Sequence, residues 1–190
     1  MVLITITGAS GTGKTTIIKR IMEKHRRVQP LLSTTTRSPR ESDIPNEFEY
    51  VTKETFLRMK AEGDFLWTVN VHGNYYGTRW SAVETALLRQ AQCIAALAHE
   101  AVIELQTFVR RHPPQYQSLF CVYIQTPGQE VLRARLERRE SHPDPIDVAR
   151  RLEDCLSWDD VARRSNVPYI FLQDRNIMEK KVLVVESFFH

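Results

Sequence analysis

The stretch Gly8-Ala9-Ser10-Gly11-Thr12-Gly13-Lys14-Thr15, placed directly after the apolar run Val2 to Ile6, constrains this chain more than any other feature. It fits the pattern G-x-x-x-x-G-K-[ST], which requires a strand, a tightly folded loop and a helix in that order. Glycines at 8, 11 and 13 permit positive φ and leave room for successive backbone N–H groups to point at phosphate oxygens. The spacing therefore predicts a nucleoside triphosphate cradle made by Ser10, Gly11, Thr12, Gly13, Lys14, Thr15 and Thr16. Lys14 would bridge the β- and γ-phosphates and the Thr15 hydroxyl would sit on Mg²⁺. The helix that starts here would aim its positive end at the same phosphates. The competing reading is a glycine-rich turn without a ligand, and a strand before it and a helix after it count against that.

With 190 residues the chain is long enough for one sizeable core, so a single α/β unit is expected. No apolar run approaches the roughly 20 residues that a membrane span needs. Met1 leads straight into a strand, with no secretory signal pattern, which makes the cytoplasm the expected compartment. A net charge of +3 is too small to argue for nucleic acid, and small anionic molecules are the better expected partners. Cys93, Cys121 and Cys155 are odd in number and lack metal-ligand spacing, so they are expected to be plain thiols.

Continuous apolar runs at Val2 to Thr7, Cys93 to Ala98 and Leu119 to Ile124 predict central strands of a parallel sheet. Another strand is expected over Pro30 to Thr35, a half-buried one over Phe65 to Val71 and a last one over Tyr169 to Leu172. Helical spacing marks Thr15 to Lys24, Thr52 to Ala61, Ser81 to Ala91, Glu100 to Arg110, Gln129 to Arg139, Ile146 to Arg164 and Ile177 to Phe188. Thr52 is a candidate N-cap and Gly63 a stop. Pro39 and Pro45 keep the segment from Thr36 to Asn46 irregular, which leaves Ser33, Arg37 and Arg40 on a loop where side chains can converge on an anion, with a solvated basic loop as the competing reading. His72 to Thr78 reads as a turn set by Gly73 and Gly77. Alternating strands and helices imply a parallel sheet with helices on both faces. Thr36 to Gly77 and Arg135 to Arg151 would be insertions over the strand ends.

The order of four motifs resembles the guanylate kinase family: the cradle, then Ser33-Thr34-Thr35-Thr36-Arg37-Ser38-Pro39-Arg40, then His72-Gly73-Asn74-Tyr75-Tyr76-Gly77-Thr78, then Arg135-Leu136-Glu137-Arg138-Arg139. The resemblance runs along nearly the whole chain and implies a P-loop kinase fold of the α/β class. It implies a core of residues 1–36, 78–134 and 152–190, an acceptor-binding subdomain of 37–77 and an Arg-rich lid of 135–151. The implied reaction is phosphoryl transfer from ATP, with Mg²⁺, to a nucleoside monophosphate, GMP by default. Ser33, Arg37, Arg40, Tyr50, Tyr76 and Thr78 would bind the acceptor, and Arg135, Arg139 and Arg151 would close on the donor phosphates beside Lys14.

The departures from the family pattern are as informative. The position of the family's guanine-reading glutamate holds Trp67, and Ala96 and Ala98 stand where it has two aspartates, one near the base and one near the metal. Phe48 replaces a phosphate-directed tyrosine, for which Tyr50 would substitute. Asn70, Thr78 and Glu100 are the candidates for reading the base instead. Three functions remain open on the sequence: a nucleoside monophosphate kinase, a kinase for another phosphorylated acceptor such as a sugar phosphate, and a non-catalytic phosphopeptide-binding module. The intact cradle argues against the last.

Overall fold

The protein is described by a computed structural model covering residues 2–71, 73–88, 91–111, 118–137, 145–173 and 178–189. Its elements, in chain order, begin with β1 (Val2–Thr7), α1 (Lys14–Lys24), β2 (Val28–Pro30), β3 (Ser33–Thr35), β4 (Phe48–Tyr50), α2 (Lys53–Ala61), β5 (Phe65–Val71) and β6 (Asn74–Arg79). They continue with α3 (Trp80–Leu88), β7 (Gln92–Ala96), α4 (His99–Arg110), β8 (Ser118–Ile124), α5 (Gln129–Glu137), α6 (Pro145–Arg164), β9 (Tyr169–Leu172) and α7 (Met178–Glu186). The expected extension of α5 to Arg139 and the expected start of α7 at Ile177 lie outside the described residues.

The core sheet has the order β2-β7-β1-β8-β9, with every pair parallel. Side chains along a strand alternate between its faces, and the core follows that period of two. Ile4, Ile6, Ile94, Val122 and Ile124 pack with Ile17, Ile18 and Ile21 of α1 and with Val182 and Val185 of α7. Leu3, Cys93, Ala95, Cys121 and Tyr123 face the other way, onto Val83 of α3, Val102 and Leu105 of α4 and Ala162 of α6. The three cysteines are all buried free thiols. Burial on both faces is why these strands read as unbroken apolar runs.

A second sheet, β4-β3-β6-β5, stands beside the first. Where the sequence predicts one strand over Pro30 to Thr35, the chain makes two strands in different sheets. Leu31 N–H still bonds to Ile94 O at 3.0 Å in the core, but Ser33 N–H already turns to Glu47 O at 2.9 Å. The hydrophobic pattern runs straight through this change of partner and therefore cannot mark it. β4, of three residues, carried no periodic signal. α2 closes the sheet with Phe56 stacked on Phe65, centroids 4.6 Å apart, and begins at the expected cap, where Thr52 accepts the Thr55 N–H.

The expected turn from His72 to Thr78 is mostly strand. Gly73, with φ 79°, is the turn residue, and Asn74 onward is β6 paired antiparallel with β5. Gly77 serves a different purpose: a Cβ there would lie 2.7 Å from Phe65 Cδ1 and 2.9 Å from the Trp67 carbonyl oxygen. Gly77→Ala is thus expected to destabilise the protein by about 1–3 kcal/mol through overpacking. A urea midpoint equal to wild type would contradict that.

Candidate functional site

β1 is the middle strand of the core sheet, so the loop after it opens at the centre of the strand ends, where open α/β sheets bind ligands. Gly8, Gly11 and Gly13 take φ values of 149°, 82° and 95°. At Gly8 a Cβ would lie 2.6 Å from Ile124 O, so no larger residue fits. The loop is braced from inside by Thr12, 1% exposed, whose hydroxyl donates to Ala9 O at 2.9 Å. Lys14 Nζ donates to Gly8 O at 2.7 Å and Ala9 O at 2.8 Å, so its ammonium group is held over the cradle. Arg135 reaches in from α5 and donates to Gly11 O at 3.3 Å. α5 and α6 are seated on the cradle by an apolar cluster of Ala9, Leu132, Leu136, Val148, Leu152 and Cys155.

Across the opening, the irregular segment after β3 is organised around a carboxylate. Arg37, 8% exposed, donates from Nη1 to Ser38 O at 2.6 Å and from Nη2 to Asp43 Oδ1 at 2.8 Å. Its guanidinium carbon lies 5.3 Å from the Phe48 ring centroid and 5.9 Å from that of Tyr50. Asp43 Oδ2 accepts the Tyr50 hydroxyl at 2.6 Å and the Arg40 N–H at 2.7 Å. Burial opposes both charges of the Arg37–Asp43 pair, but their mutual bond outweighs it, raising the Arg37 pKa and holding the Asp43 carboxyl below the usual range. Burial and donation to Asp43 push the Tyr50 phenol up to about 12. Nearby, Glu47 is buried and its pKa is raised by that burial, against the partial relief of the Ile44 N–H.

These two regions share one cavity of about 780 Å³. Ser10, Gly11, Thr12, Gly13, Lys14, Thr15, Thr16 and Arg135 line its cradle side, and Ser33, Arg37, Arg40 and Tyr76 line the side opposite. Tyr50 and Thr78 are not among the lining residues. Tyr50 touches the site through Asp43, and Thr78 is fully buried behind it, 3.0 Å from the Ser33 hydroxyl. Arg139 lies outside the described residues, as does the side chain of Arg151, whose backbone runs in α6.

None of the three candidate base readers lines the cavity. Asn70 is exposed and accepts the Gly73 N–H, Glu100 is exposed in the first turn of α4, and Thr78 is bonded to Ser33. The wall there is instead Phe48, Trp67, Val69, Val71, Ala96 and Ala98. Trp67 is 5% exposed, and its indole N–H is fully buried with no partner among the described residues. It therefore offers the cavity carbon surface only.

Sequence reasoning missed Lys19, Asp43, Glu47, Asp154, Trp158 and Lys181, all of which line the cavity. Lys19 lies one turn beyond Thr15 on α1, a spacing that could have found it. Lys181, 3% exposed on α7, carries no signal beyond its charge. Among the described residues no group of three or more His, Cys, Asp or Glu is arranged to hold a metal ion.

Residues 1–153 match the family model for guanylate kinase. The guanylate kinase of Clostridium perfringens (strain 13 / Type A) is 37% identical over 141 residues, which are 74% of this chain and 62% of that protein. The match thus spans less than two thirds of that relative's length. The guanylate kinase of Acinetobacter baylyi is 31% identical over 177 residues, 90% of this chain and 79% of that one. Among solved structures, guanylate kinase from Anaplasma phagocytophilum superposes with a TM-score of 0.62 at 18% identity, covering 100% of this chain and 84% of its own. A gluconokinase from Sinorhizobium meliloti 1021 reaches 0.50 at 16% identity, covering 98% and 90%. At such identities the superpositions show the fold alone, that of a P-loop kinase with a parallel core sheet flanked by helices. With the family model matched over most of its length and a motif order to go with it, the chain belongs to the guanylate kinase family.

Proposed function

We propose that the protein transfers the γ-phosphoryl group of ATP to a nucleoside monophosphate, GMP by default, forming ADP and GDP. The observation that carries this is the single cavity lined on one side by the Lys14 cradle and on the other by Arg37, Arg40 and Tyr76. Guanylate kinases are the named relatives, and their activity supports the same reading. An oxygen of the acceptor phosphate attacks the γ-phosphorus while the bond from that phosphorus to the β-phosphate oxygen breaks, leaving ADP. Lys14 and the lid's Arg135 neutralise charge on the moving group, and the loop's arginines hold the acceptor in line.

Mg²⁺ would arrive with ATP and neutralise phosphate charge. Thr15, which lines the cavity, would be the protein group that holds it, as fits a cation carried mainly by phosphates and water. The aromatic and aliphatic wall around Trp67 suits a planar base better than a polyhydroxylated sugar, which favours a nucleotide over a sugar phosphate as acceptor. No helix among the described residues is long and apolar enough to cross a membrane. Small-molecule nucleotides acted on in the cytoplasm complete the proposal.

A coupled ADP-release assay against a panel of nucleoside monophosphates and phosphosugars tests the function directly. No acceptor-dependent release from any of them would overturn it. Arg37→Ala should weaken acceptor binding about ten- to a hundredfold, the value of charge-assisted hydrogen bonds at a partly dry site, and leave ATP binding nearly intact. Separate calorimetric titrations of ATP and GMP check this, and equal losses for the two ligands would contradict the placement of Arg37.

A further inference from the structure

We infer that the Asp43 carboxylate is a built-in stand-in for the acceptor's phosphate, and that the acceptor binds by displacing it. The inference rests on the proposed acceptor site. Asp43 lines the cavity and accepts three strong hydrogen bonds, from Arg37 Nη2 at 2.8 Å, Tyr50 Oη at 2.6 Å and Arg40 N at 2.7 Å. All three donors belong to residues of the set expected to grip the acceptor phosphate. Several converging N–H and O–H donors around one anion are what a phosphoryl group requires, and here a side chain of the loop itself supplies the anion.

The three donors that meet Asp43 are the ones a phosphate in this seat would need. The Arg37 guanidinium is held between Ser38 O and the rings of Phe48 and Tyr50, so a phosphate that takes its Nη2 bond takes it from Asp43. A phosphate drawn to Arg37 would sit against the Asp43 carboxylate, and like charges that close repel strongly. Asp43 is the member able to leave. Its side chain is 16% exposed against 8% for Arg37, and it lies between Thr35 and Phe48, where the chain forms neither helix nor strand.

The arrangement makes the loop selective by charge. A dianionic phosphate outcompetes a monoanionic carboxylate for the same donors, whereas a ligand bearing only a carboxylate gains nothing by the exchange. Asp43 also keeps Arg37 in its binding position, because the internal anion satisfies a buried cation that would otherwise lack an opposite charge.

The test uses Asp43→Asn, which keeps the shape and removes the charge. Freed of its competitor, the variant should bind inorganic phosphate about tenfold more tightly, and the KM for GMP relative to that for ATP should fall by a similar factor. An unchanged or weaker affinity for phosphate would mean that Asp43 is only a strut for Arg37 and would overturn the inference. Wild-type protein gives an independent measurement that needs no variant to fold: nuclear magnetic resonance of the Asp43 side-chain carboxyl carbon and the Arg37 Nε–H during titration with GMP. Movement of both signals supports displacement. If Arg37 moves while Asp43 stays, displacement is wrong but the acceptor site stands. If neither moves, the acceptor does not use this loop, and both the site and the inference built on it fall.

Discussion

Replacing Lys14 with alanine is expected to lower kcat/KM for phosphoryl transfer by about 10²-fold or more while the folded protein keeps its thermal stability within a few degrees. The magnitude follows from losing one preorganised charge-stabilising donor at a transferring group. The sparing of the fold follows from the position of the side chain. Lys14 is half-buried and belongs to none of the apolar clusters, and its ammonium group bonds to the loop carbonyls Gly8 O and Ala9 O. Gly8 lines the cavity, where water can take the place of the ammonium group once the lysine is gone. Initial rates, together with a melting curve on the same samples, decide the matter. Turnover near the wild-type rate would remove the cradle from the chemistry, and a collapse of the melting transition would move Lys14 from catalysis to structure.

The second large effect concerns the base. The ratio of kcat/KM for GMP to that for AMP, UMP or CMP is expected to lie below about 10⁴, the discrimination that a site built to hydrogen-bond a base edge can reach. Trp67 seals its own N–H inside the protein, Ala96 and Ala98 have no polar side-chain atom, and Asn70, Thr78 and Glu100 lie off the cavity wall. The wall that holds Trp67, Val69, Val71, Ala96 and Ala98 is left with apolar and aromatic side chains. It rewards burial of any ring face at about 25 cal/mol per Å² without distinguishing one edge from another. A ratio above about 10⁴ would contradict the argument.

Ala98→Asp is the complementary arm. Ala98 is the N-cap of α4 with no side-chain bond, so an aspartate there should add about 0.5–2 kcal/mol of stability and also return a carboxylate to the cavity. A rise in preference for GMP in this variant, measured under the same conditions, would place the lost discrimination at this end of the site.

The parts of the fold that were legible in the sequence are those whose cause is local. The cradle follows from glycine spacing and from Lys14 and Thr15 at fixed offsets, and β1, β7 and β8 follow from runs buried on both faces. Thr52 caps α2 through a bond three residues long. Gly73 and Gly77 show where that legibility stops. Both looked like turn residues, but only one has a positive φ, and the other is required by Phe65 and the Trp67 carbonyl, which pairing across strands brings against it.

The sequence by itself determined that this chain has a glycine-rich loop between a strand and a helix on a parallel sheet, and its resemblance to guanylate kinases implied that Trp67, Ala96 and Ala98 stand at carboxylate positions of that family. Only the tertiary structure decided that Leu31 and Ser33 belong to different sheets, that Asp43 occupies the donors of Arg37, Arg40 and Tyr50, and that Lys181 comes from α7 to line the same cavity. The physical reason is range. Burial period, helix caps and glycine φ are set by residues a few positions apart. Which donor meets which acceptor, and which wall faces a cavity, depends on how separate elements pack, and single-residue patterns carry no record of that.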